Sequence, residues 1–132
     1  MTLVLQTHPQ LSPVIRRWGC NLRCLQAIAE LEADRVLAPC EIEELYTLST
    51  AAGLIGPNCY VNDNNAVIRE TAKYLGLARW PQVVSNKAAR YLRIGYRVSA
   101  GTHFVLIDTT GSLYNPDPSL VPTAIEGVRY YA

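Results

Sequence analysis

Residues 18–34 read Trp18-Gly19-Cys20-Asn21-Leu22-Arg23-Cys24-Leu25-Gln26-Ala27-Ile28-Ala29-Glu30-Leu31-Glu32-Ala33-Asp34. Arg23, Gln26, Glu30 and Asp34 recur at helical spacing and form one narrow polar stripe. Leu22, Cys24, Leu25, Ala27, Ile28, Ala29 and Leu31, which fill the rest, are apolar or small. A helix polar along so thin a stripe is a buried, central one. The pattern predicts it over Asn21 to about Ala33, with Gly19 and Cys20 where it begins. Upstream, Pro9 and Pro13 break regular structure, so residues 1–19 are expected to be irregular.

Downstream, Pro39, Cys40 and the acidic turn Glu41, Glu43, Glu44 start a second helix that Gly53 or Gly56 ends. Asp63, Asn64 and Asn65 offer N-caps for a third, which carries Val67, Ile68, Ala72 and Leu75 and closes near Gly76. Beyond Trp80-Pro81 the period changes. Leu92, Ile94, Tyr96 and Val98 alternate with Arg93, Gly95 and Arg97, which predicts a strand with one wet face. His103–Asp108 and Ser112–Tyr114 follow as strands, then Ile125–Tyr131 with Gly127 at a bulge. Helices followed by antiparallel strands make the chain α+β, with the central helix packed on a C-terminal sheet. Its 132 residues suit one domain, 1–132.

Composition sets the chemistry available. Apolar residues are 49% and charged residues 17%, which excludes intrinsic disorder. A net charge of +1 gives no bias toward nucleic acid or a membrane surface, and neither is an expected partner. No apolar run has the length of a signal or membrane-spanning segment, so a cytoplasmic location is expected. Thiols stay reduced there, and Cys20, Cys24, Cys40 and Cys59 read as buried thiols, metal ligands or a nucleophile.

Cys20 is set apart by its place at a helix N-terminus, where the dipole and free N–H groups favour a thiolate. His103 opens a strand some eighty residues later, and the next strand ends at Asn115, with Asp117 just beyond. If those strands pair, Asn115 or Asp117 falls near the His103 ring and fixes its tautomer. Cys, His and Asn or Asp in that order is the arrangement of papain-like thiol enzymes. Cys24, one turn after Cys20, reads as core, and Cys40 and Cys59 as structural. Arg16, Arg17 and Arg23 surround the nucleophile segment, as promoters of the thiolate, attractors of an anionic substrate or a solvated rim. Arg90, Arg93 and Arg97 read as solvent-facing.

Trp18-Gly19-Cys20-Asn21-Leu22-Arg23-Cys24-Leu25, Thr102-His103-Phe104-Val105-Leu106 and Tyr114-Asn115-Pro116 resemble the motifs of the bacteriocin-processing, double-glycine-leader peptidases, and of small bacterial and phage cysteine peptidases. The resemblance covers about thirty residues and implies a papain-like fold. It implies Cys20 as nucleophile, His103 as general base and acid, and Asn115 or Asp117 as the orienting residue. The activity implied is a cysteine peptidase or amidase that cleaves a peptide or amide substrate through a thioester, with no metal or organic cofactor. Three positions depart from the pattern. Val14 stands where the family carries its oxyanion-hole Gln, which leaves Gln10, or Gln6, as the upstream candidate. Asn21 replaces the Gly after the nucleophile, and Gly19 the acidic residue before it.

Rival readings differ in class. A catalytically inactive domain of the same fold would serve as a binding module. Structural zinc would use Cys20, Cys24 and His103, but there is no Cys-x-x-Cys pair or second His near His103. A helix-turn-helix would need a shorter connection than Gly53 to Asp63. The oligomeric state is not legible in the sequence.

Overall fold

A computed structural model describes residues 2–132 of the chain. Its order is α1 (Pro13–Trp18), α2 (Cys20–Ala33), α3 (Pro39–Ala51), α4 (Asn64–Tyr74), β1 (Tyr91–Val98), β2 (Gly101–Asp108), β3 (Gly111–Tyr114) and β4 (Ala124–Tyr131). The class is α+β, and the strands form one antiparallel sheet in the order β3-β2-β1-β4.

Residues 1–19 are not all irregular. Pro13 opens α1 rather than breaking it, because its fixed φ and missing N–H suit the first turn of a helix. Asp63 caps α4 by accepting from the Ala66 N–H at 3.0 Å. The β1–β4 register shifts between Gly95 and Tyr96, opposite the stretch that contains Gly127.

Helix α2 is the centre of the core and packs on α4 and β2. Leu22, Leu25 and Ile28 are fully buried, each contributing about 1.5–3 kcal/mol. Three members of the polar stripe, Arg23, Gln26 and Glu30, are buried as well because they satisfy one another, whereas Asp34 is the exposed C-cap of α2. Arg23 Nη1 donates to Glu30 Oε1 at 2.9 Å and to Gln26 Oε1 at 2.8 Å. Glu30 Oε2 accepts the Leu37 N–H. Arg23 Nη2 donates to the Val4 carbonyl at 3.0 Å, which also takes the Tyr114 hydroxyl proton at 2.6 Å. Gln6 N–H donates to the Pro116 carbonyl. One network therefore ties α2, the N-terminal segment and the Tyr114–Pro116 corner together.

Strand β3 pairs with β2 only over Leu106–Asp108. Carbonyls of β2 nearer its start are taken instead by sulfur: Cys24 Sγ donates to Phe104 O at 3.4 Å and Cys20 Sγ to Thr102 O at 3.9 Å. The start of α2 is thus set against the strand that carries His103.

Candidate active site

Cys20 is the first residue of α2 and Gly19 its N-cap, leaving no linker between α1 and α2. A Cβ on Gly19 would lie 2.6 Å from the Ile15 carbonyl oxygen and 2.8 Å from Ile15 Cγ2. Only glycine fits that junction, a physical reason for the absence of a larger residue before Cys20.

Cys20 is half-buried. Burial pushes its thiol above the ordinary range, against the opposing pull of the Phe104, Asn21 and Cys20 N–H groups and the Arg93 guanidinium. The helix start thus acts in the expected direction, but desolvation outweighs it.

His103, the candidate base, is 2% exposed; it makes no hydrogen bond to Cys20, whose thiol reaches Thr102 O instead, and it does not line the groove at Cys20. His103 Nε2 lies 2.7 Å from Asn115 Oδ1. The same oxygen accepts the Asp117 backbone N–H at 3.2 Å, which assigns that amide atom as oxygen and Nε2 as the protonated nitrogen. Nδ1 then carries the lone pair, and it is buried without a hydrogen-bond partner. Asn115 makes the bond to the ring, whereas the Asp117 carboxylate turns to Ser119, accepting from its N–H at 3.1 Å and its hydroxyl at 2.6 Å.

Gln10 is exposed, and its backbone N–H donates to His8 Nδ1. Gln6 is buried and donates to the Arg16 carbonyl at 3.0 Å. Neither lines the groove at Cys20. The groove, of about 670 Å³, is bounded by Trp18, Cys20, Asn21, Asn58–Asn65, Val83, Arg93, Phe104 and Arg129.

Arg93 departs furthest from its expected place. It is 8% exposed, donates through Nη1 to Asn21 Oδ1 and lies 4.6 Å over the Phe104 ring. The face of β1 expected to be wet is covered here because Gly95 leaves room for Phe104. A Cβ on Gly95 would meet Phe104 Cε1 at 3.2 Å. No periodicity signals such a residue, since its burial depends on a cross-strand glycine and an aromatic neighbour. Arg23 is likewise committed to its buried network, which leaves Arg16 and Arg17 as the exposed arginines before Cys20.

Cys24 and Cys59 are buried, and desolvation raises both thiols, Cys59 to about 12; Cys40 is exposed. Among the described residues no group of three His, Cys, Asp or Glu side chains can hold a metal ion, and no helix is long and apolar enough to cross a membrane. The chain matches no protein-family model, no curated protein and no solved structure.

Proposed function

We propose that this chain is a papain-like cysteine peptidase or amidase of the cytoplasm. The observation that carries the reading is the buried His103, protonated on Nε2 by its bond to Asn115, with Nδ1 unpartnered on the strand that Cys20 contacts. In this reading Cys20 Sγ attacks an amide carbonyl as its proton passes to Nδ1. Nδ1–H then protonates the leaving amine as the C–N bond breaks, which gives a thioester. Water loses a proton to Nδ1 and adds to the thioester, and the C–S bond breaks to release the acid and the thiol. Nδ1–H returns its proton to the departing sulfur, and Asn115 holds the ring through each proton transfer.

The developing oxyanion needs donors at the start of α2. The Cys20 and Asn21 backbone N–H groups at the helix start favour negative charge on the sulfur. The Asn21 side chain adds a donor, since its Oδ1 is engaged by Arg93 and its Nδ2 is free to serve. Asn21 in this role takes the place of the missing upstream Gln.

The test is covalent trapping with a panel of peptidyl acyloxymethyl ketones, read by peptide mapping. A single adduct at Cys20, lost in His103→Ala, supports the reading. A correctly folded protein without any Cys20 adduct favours the second reading, a binding module of the same fold, which the raised thiol of Cys20 would suit.

A further inference from the structure

Arg93 is a buried cation without a counter-ion. Its Nη1 reaches Asn21, a neutral group, and its Nε is buried with no hydrogen-bond partner. The ion pairs among the described residues join Arg23 to Glu30, Arg35 to Glu41, Arg69 to Glu70, Arg90 to Glu32 and Arg97 to Glu126. Arg93 has none. Its partner across the β1–β4 ladder is Arg129, exposed and also without an ion pair. Like charges directly opposite on two strands destabilise a sheet, and an uncompensated buried charge costs more. Both guanidiniums border the groove that holds Cys20. Asp63, the acidic side chain on that groove, is engaged as the N-cap of α4. The groove is thus cationic on one wall, and an anion there would relieve two unfavourable terms at once.

We infer that Arg93 and Arg129 form a carboxylate-binding subsite of the Cys20 groove, and that the substrate carries a carboxylate beside the amide that Cys20 attacks. The Arg93–Asn21 hydrogen bond sets the subsite one residue from the nucleophile. The assignment of a substrate class rests on the peptidase reading, whereas the anion site does not. The carboxylate comes from an Asp or Glu side chain or from a chain terminus.

Two measurements separate these parts. The first compares alkylation of Cys20 by iodoacetate and iodoacetamide at one pH, in wild type, Arg93→Gln and Arg129→Gln. Both reagents meet the same thiol, so their rate ratio cancels changes in its pKa and reads anion attraction, whether or not the protein is an enzyme. The ratio at Cys20 is expected to exceed that of N-acetylcysteine, and to fall about tenfold in Arg93→Gln and less in Arg129→Gln. A ratio equal to that of the free thiol, or no change in either variant, overturns the subsite. Arg129 is exposed, so its variant keeps the test valid if Arg93→Gln fails to fold.

The second uses Cys20→Ser and Trp18 fluorescence to compare binding of a capped Glu peptide, its capped Gln counterpart and the Gln peptide with a free C-terminus. Tighter binding of either acidic peptide, lost in Arg129→Gln, identifies the source of the carboxylate. Equal binding of all three overturns the substrate class.

Discussion

His103 Nε2 and Asn115 Oδ1 lie 2.7 Å apart, and the Asp117 N–H fixes the amide orientation by donating to the same oxygen. The imidazole is thereby held in the tautomer whose free lone pair is on Nδ1. Asn115→Ala should slow iodoacetamide modification of Cys20 near neutral pH by about threefold, less than loss of the imidazole itself, because Asn115 acts through the ring. Asp117→Asn should leave the rate within about twofold, because that carboxylate faces Ser119 and not the ring. Peptide mapping of the alkylated protein checks both.

Arg93 lowers the Cys20 thiol while burial raises it. Removing the guanidinium removes a stabiliser of the thiolate, so Arg93→Gln should shift the alkylation profile of Cys20 to higher pH. Cys40, exposed and remote in sequence, is the internal control and should not move.

The Arg23–Glu30 pair is fully buried on both sides. Glu30→Ala would leave the Arg23 charge uncompensated and is expected to cost about 3–5 kcal/mol in urea unfolding. The double variant Arg23→Met/Glu30→Leu should cost less than the sum of the single changes, since it removes both charges together.

Gly19→Ala tests the junction that presents Cys20. Its Cβ would collide with the Ile15 backbone, not with a flexible side-chain tip. A loss of about 1–3 kcal/mol is expected, together with slower trapping of Cys20 as the start of α2 is displaced. Unfolding curves and adduct yields read the two effects separately.

Elements whose signal is local were legible in the sequence. The apolar face of Leu22, Leu25 and Ile28 marked α2, the run Asp63, Asn64 and Asn65 marked the start of α4, and alternation marked β1. Pro13 was ambiguous because proline both ends one helix and starts the next. Of the candidate site read as chain order, Cys20 then His103 then Asn115 or Asp117, the structure brings together His103 and Asn115; Asp117 is consumed by the turn at Ser119, and no hydrogen bond joins Cys20 to His103. Arg93 and the buried Arg23 network were not legible. Each owes its burial to partners distant in sequence, Asn21 and Phe104 for one, Glu30, Val4 and Tyr114 for the other.

In the proposed mechanism Cys20 gives its proton to His103. This step is tested most directly by the rate of iodoacetamide modification of Cys20 at neutral pH in wild type and His103→Ala, with Cys40 followed in the same samples. Cys20 is expected to outpace the exposed Cys40 in wild type despite its burial, and to slow at least about tenfold in the variant while Cys40 is unchanged. A Cys20 rate that is the same with and without the imidazole, in a variant that unfolds at the wild-type temperature, would contradict it.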